Sequence, residues 1–193
     1  MTTTPGTAAR PLRADARRNR DRLLAVATQA LTEDVDVPLE TIAQRAGVGI
    51  GTLYRHFPQR DALIEAAYRH EVEELCDAAP RLLEADRPAV EALREWMGRF
   101  VRYVATKRGL GGALREAVGT DAPLFAETRT RLTDALTVLL DACRAEASIR
   151  TDVDAKDVLL TMGGVWTVPD GPDWEPQVRR VLDLVVDGLR YGA

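Results

Sequence analysis

Two cysteines, two histidines and two lysines in 193 residues leave little material for several kinds of chemistry. Cys76 and Cys143 lie far apart and match no metal-ligand spacing, so no metal is expected and both thiols read as buried or half-buried. His56 and His70 belong to no His-Glu-x-x-His pattern, and neither a Gly-x-Ser-x-Gly elbow nor a phosphate loop occurs. The run Gly47-Val48-Gly49-Ile50-Gly51 lacks the preceding strand that a dinucleotide site needs. An enzyme is therefore not expected, nor a cofactor. No apolar run approaches the length of a membrane span, and Met1 to Ala9 is small and polar without the apolar centre of a signal peptide. A cytoplasmic protein without a membrane partner is the expectation. Lysine is confined to Lys107 and Lys156 against 24 arginines, a bias that reads as the imprint of a G+C-rich genome and not as recognition chemistry.

What is present is charge, unevenly placed. The formal balance is −4, yet Arg10 to His70 holds 10 Arg and 8 Asp/Glu, a balance of +2, which leaves −6 for the remainder. An acidic body with a mildly basic head is the asymmetry expected when one end must approach phosphates. Strand signals are nearly absent, and apolar residues recur at spacings of three and four, so an all-α fold of about nine helices is expected.

Residues 1–12 read as a disordered tail, 13–60 as a small helical head, and 61–193 as a larger helical body, joined by a linker helix at about 59–79; the motifs within each make the head DNA-binding and the body ligand-binding and dimerising. The first helix is expected over Asp15 to Thr32, with Leu23, Leu24, Ala27, Ala30 and Leu31 on one face. Pro80 is expected to close the linker helix. Pro88 opens a helix expected to end near Gly109-Leu110-Gly111-Gly112, with a short segment to Val118 beyond. Asp121 and Pro123 begin another to about Ala147, one more follows Asp154, and a loop from Val168 to Pro176 precedes the last.

Residues 39 to 57 carry the most specific pattern. A helix pair that reads DNA needs a small residue at the crossing, a turn residue able to take positive φ, and apolar residues that lock the angle. Ala43, Gly47, and the set Ile42, Ala46, Val48 and Leu53 supply these. The second helix of the pair, about Gly49 to His56, would lie in the major groove. Its leading turn offers few hydrogen-bonding side chains. Gly49 and Gly51 suit close backbone approach, Ile50 suits a thymine methyl, and Arg45 or Arg55 would read from the flanks. Tyr54, His56 and Arg60 are suited to phosphates. Arg17, Arg18, Arg20 and Arg22 crowd the first turns of helix one, where the macrodipole disfavours cations. Contact with the DNA backbone or minor groove and a merely solvated basic face are equally good accounts of that cluster.

Leu23 to His70 closely resembles the TetR family of bacterial regulators, above all in Ile42-Ala43-Gln44-Arg45-Ala46-Gly47-Val48 and Gly51-Thr52-Leu53-Tyr54-Arg55-His56-Phe57. The resemblance implies a three-helix head, a dimerising helical body and an internal ligand pocket. It further implies base or backbone contacts from Thr41, Gly49, Ile50, Thr52, Tyr54 and His56, and a phosphate contact at Arg60. Pro38 stands where many members have a capping Ser or Thr, with Asp36 as a substitute cap.

In the body, Gly163-Gly164 and the stripe from Val178 to Leu189 suit a four-helix homodimer interface, against the alternative of a purely internal core. Trp96, Phe100, Tyr103, Phe125, Met162 and Trp166 outline a pocket for a mostly apolar effector, together with the expected loop at Gly109 to Gly112. Such aromatics are individually more often core than ligand wall. The expected partners are thus a palindromic operator in double-stranded DNA, a small molecule and a second copy of the chain. A helical small-molecule carrier without specific DNA binding is the competing reading.

Overall fold

The computed structural model describes residues 9–120 and 122–191, with side chains from Arg18 onward. Helices α1 (Ala9–Glu33), α2 (Leu39–Ala46), α3 (Ile50–His56), α4 (Arg60–Leu83), α5 (Ala89–Val118), α6 (Pro123–Ala145), α7 (Ala155–Met162) and α8 (Trp174–Arg190) follow one another, with a 3₁₀ turn at Gly163–Thr167 after α7. No strand occurs among the described residues. Helix α1 starts at Ala9, within the stretch expected to be a tail; Met1 to Ala8 lies outside the described residues.

The chain forms two compact units. The first runs to His70 and takes in Gly109–Val118; the second holds Glu71–Arg108 and the chain from Gly119 on. In the first, Leu23, Leu24 and Leu31 of α1 are buried with Ile42, Leu53 and Leu63 from the next three helices. Thr28 Oγ1 donates to the Ala67 carbonyl at 3.3 Å, a buried polar tie between α1 and α4. Leu110 and Leu114 are buried as well, so the end of α5 is part of this unit's core.

Two proline and glycine expectations fail here, for tertiary reasons. Pro80 lies inside α4, which continues to Leu83. So near a helix end the missing N–H removes one bond only, and the Glu84 amide still reaches the Pro80 carbonyl at 3.2 Å. Likewise α5 does not end at Gly109 but runs as one 30-residue helix through Gly109, Gly111 and Gly112. A helical glycine costs about 1 kcal/mol relative to alanine. At Gly109 close packing outweighs that cost, because a Cβ there would lie 2.9 Å from the Thr32 carbonyl oxygen.

The second unit is built around Leu93, Trp96, Met97, Phe100, Leu136 and Leu139, all buried. Trp96 Nε1 donates to the Leu75 carbonyl at 2.9 Å, which satisfies the one polar atom of the largest buried ring. Glu146 Oε2 accepts from the Ala89 amide at 2.8 Å at the start of α5. Helix α7 opens with a capping box: Asp154 accepts from the Lys156 and Asp157 amides, and Asp157 accepts from the Asp154 amide. Those amide donors hold the Asp154 carboxyl below its ordinary range. Arg108 secures the chain after α7, donating to the carbonyls of Val165, Trp166 and Val168 and pairing with Asp170.

Candidate functional site

The α2–α3 pair is closed by backbone geometry. Gly47 takes φ +67°, its amide donates to Gln44, and the Val48 amide donates to Ala43, the Schellman arrangement that needs a residue without Cβ strain. Pro38 occupies the N-cap of α2 without a side-chain hydrogen bond, and Asp36 does not replace it; the Asp36 amide itself donates to Asp34.

On α3 only Leu53 is buried. Ile50 is 36% and Tyr54 44% exposed; Gly49, Gly51, Arg55 and His56 are also exposed, and Thr52 and Thr41 are half-buried. A single anchored leucine thus leaves the rest of a seven-residue helix facing outward. A Cβ at Gly49 or Gly51 would meet nothing within 4 Å, so the surface before the leading turn is open. Arg55 Nη2 donates to Thr52 Oγ1 at 3.1 Å, which holds these two expected contacts together.

Two expected DNA contacts are otherwise engaged. Arg45 pairs with Glu33 of α1 at 3.0 Å, both side chains about half exposed, and Gln29 and Arg45 together hold the Glu33 carboxyl below its ordinary range. Arg60, expected on a phosphate, donates to the Val37 carbonyl at 2.8 Å and to that of Val35. Its guanidinium closes the α1–α2 loop, because carbonyls turned inward by a short loop need a donor. Arg18 is exposed, whereas the Arg17 side chain lies outside the described residues. Arg20 places its guanidinium 5.9 Å from the Phe57 ring centre.

In the second unit a cavity of about 540 Å³ opens between α5, α6, α7 and the 3₁₀ turn. Phe100, Tyr103, Phe125 and Trp166 line it, as the sequence pattern suggested; Trp96 and Met162 do not. Both are fully buried, Trp96 stacking on Phe100 at 6.0 Å behind the wall. A shared helix face ran from core into cavity, and periodicity does not mark where one gives way to the other. The expected loop at Gly109 to Gly112 is helical and belongs to the other unit.

The sequence reading missed Lys107, Thr128, Arg129, Leu132, Lys156 and Leu159, which also line the cavity. Lys107 follows Tyr103 by one helical turn, a spacing that could have found it. Its Nζ lies 5.9, 5.6 and 5.1 Å from the ring centres of Tyr103, Phe125 and Trp166. Cys76 and Cys143 are free thiols outside this wall; burial pushes Cys76 up to about 11 and Cys143 in the same direction. No cluster of three metal-ligating side chains, and no helix long and apolar enough to cross a membrane, occurs among the described residues.

Residues 24–67 match the family model described as bacterial regulatory proteins, tetR family; residues 88–191 match that of the transcriptional regulator SbtR-like C-terminal domain. The crystal structure of the TetR transcriptional regulator SCO0520 from Streptomyces coelicolor is 46% identical, with TM-score 0.82, over 90% of this chain and 99% of that one. A TetR transcription regulatory protein from Mycobacterium vanbaalenii is 36% identical, with TM-score 0.73, over 93% and 99%. The HTH-type transcriptional repressor KstR of Mycobacterium tuberculosis is 27% identical over 80% of this chain and 71% of its own length. A head of this geometry followed by a matching helical body marks a DNA-binding transcriptional regulator, and the chain belongs to the TetR family.

Proposed function

We propose that the protein is a homodimeric repressor that binds a palindromic operator through α3 and is released when a small molecule occupies the α5–α7 cavity. The observation that carries the DNA-binding geometry is the outward face of α3, where Leu53 alone is buried and Ile50, Gly51, Tyr54, Arg55 and His56 are presented together. Ile50 with the backbone at Gly49 and Gly51 meets base edges; Tyr54, His56, Arg18 and Arg17 serve the phosphates, with Thr41 and Thr52 beside them. Arg60 acts as the brace of the α1–α2 loop. Arg45 reaches DNA only by leaving Glu33, a small cost for an exposed pair.

Dimerisation is supported by the α7–α8 face. Leu184 is 71% exposed in the wall of an apolar groove of about 410 Å³ that also includes Val158, Val181, Val185 and Leu189, whereas the exposed Leu160 lines the α5–α7 cavity. Two copies meeting there would cover these side chains, and two heads would then engage half-sites about one turn of DNA apart. Repression is supported by the likeness to KstR.

A gel shift with the DNA upstream of the gene tests the reading. A palindromic fragment bound about 10³-fold or more above random duplex at moderate salt is expected. Binding no better than random duplex would return the chain to a ligand carrier, and a monomer by light scattering at micromolar concentration would remove the dimer.

A further inference from the structure

We propose that the effector is an amphipath with an anionic head group, held by Lys107 with Arg129 and Lys156 while its apolar body lies against Phe100, Tyr103 and Leu132. This refines the mostly apolar effector expected from sequence, and it rests on the reading of the cavity as the effector site.

Three helices each contribute one cation to this wall: Lys107 from α5, Arg129 from α6 and Lys156 from α7. No aspartate or glutamate is among the described residues that line it. Most other arginines of the second unit are ion-paired, Arg131, Arg180 and Arg190 excepted. Arg94, Arg99, Arg108, Arg144, Arg150 and Arg179 each stand in an ion pair with a carboxylate. Arg129 and Lys156 have no ion-pair partner among the described residues. Outside the head the chain is acidic, −6 in balance, yet the described residues that line this cavity carry cations only.

Both lysines of the chain line this cavity. The ring faces of Tyr103, Phe125 and Trp166 surround the Lys107 ammonium at 5.1 to 5.9 Å and fix its place in the wall. A half-buried cation fixed in this way favours an anion, since a charge-assisted hydrogen bond is about twice as strong as a neutral one. The same three rings would suit a cationic guest only if Lys107 left them, and Arg129 and Lys156 would still repel it.

Decanoate, decanol and decyltrimethylammonium, which share one tail and differ in head charge, separate the possibilities when titrated calorimetrically into the full-length protein at pH 7.5. Decanoate is expected to bind at least 10-fold more tightly than decanol, with decyltrimethylammonium the weakest. In Lys107→Met, which keeps the apolar stem, the carboxylate preference is expected to collapse while decanol affinity stays within about twofold. The double substitution Arg129→Gln and Lys156→Gln, at exposed positions, is expected to lower the preference partially and to raise no question of folding. Equal affinity for decanoate and decanol, a preference for the cation, or a preference unchanged in all variants would overturn the head-group assignment and leave the effector cavity standing. If none of the three amphipaths binds, the cavity reading falls and the head-group assignment with it.

Discussion

Gly109 of α5 lies so close to Thr32 of α1 that a Cβ would sit 2.9 Å from the Thr32 carbonyl oxygen and 3.0 Å from its Cα. The obstacle is backbone, so it cannot rotate away. Gly109→Ala is expected to lose about 1–3 kcal/mol to overpacking, against about 1 kcal/mol gained in helix propensity. Three residues on, a Cβ at Gly112 would meet nothing within 4 Å, and Gly112→Ala is expected to stabilise by about 0.5–1 kcal/mol. Urea unfolding of the two variants checks the opposite signs; equal effects would mean that α5 does not press on α1 there.

The recognition glycines give a different contrast. Added methyls at Gly49 and Gly51 find open space in the free head, so neither Gly49→Ala nor Gly51→Ala should lower thermal stability. Both are expected to weaken operator binding by about 10-fold or more, because close backbone approach is how this poorly equipped helix reads its groove. Arg55→Ala should relax sequence preference, and Arg45→Ala should do so less because Arg45 is shared with Glu33. Operator affinity equal to wild type in both glycine variants would dismiss close approach as the mechanism.

Trp96→Ala is expected to cost about 3–5 kcal/mol of stability, since the ring is fully buried and its Nε1 satisfies the Leu75 carbonyl. Any loss of effector response in that variant would report unfolding. Phe100→Ala acts on the cavity wall directly but also removes a buried ring, so its effector response is to be read beside its melting temperature.

Thiol reactivity should be low. With Cys76 pushed up to about 11 by burial, its thiolate at pH 8 is about 100-fold scarcer than in an ordinary thiol. Alkylation should therefore be slow at pH 8 and keep rising until about pH 11. A rate that levels off near pH 9 would show an unburied thiol.

The head was legible because its determinants are local. Ala43, Gly47 and Leu53 act within a few residues of one another, and the Gly47 turn forms as its glycine demands. The body was less so. Gly109, Gly111 and Gly112 read as a helix end until the contact with Thr32, far away in sequence, gives the first of them a packing role. Pro80 read as a stop because nothing local says how near the helix end it lies. Trp96 and Phe100 share a helix face, yet only the packing of other helices decides that one is core and the other wall. The brace formed by Arg60 was not legible for a similar reason, since its carbonyl partners Val35 and Val37 come from the preceding loop.

The scarcity of lysine also makes the protein unusually easy to interrogate chemically. Because Lys107 and Lys156 are the two lysines of this sequence and share one wall, an amine-selective acylating reagent reports largely on that wall. Mass spectrometry of the acylated peptides then becomes a footprint of that wall, and a ligand seated there would protect Lys107, the half-buried amine, more than Lys156, the exposed one.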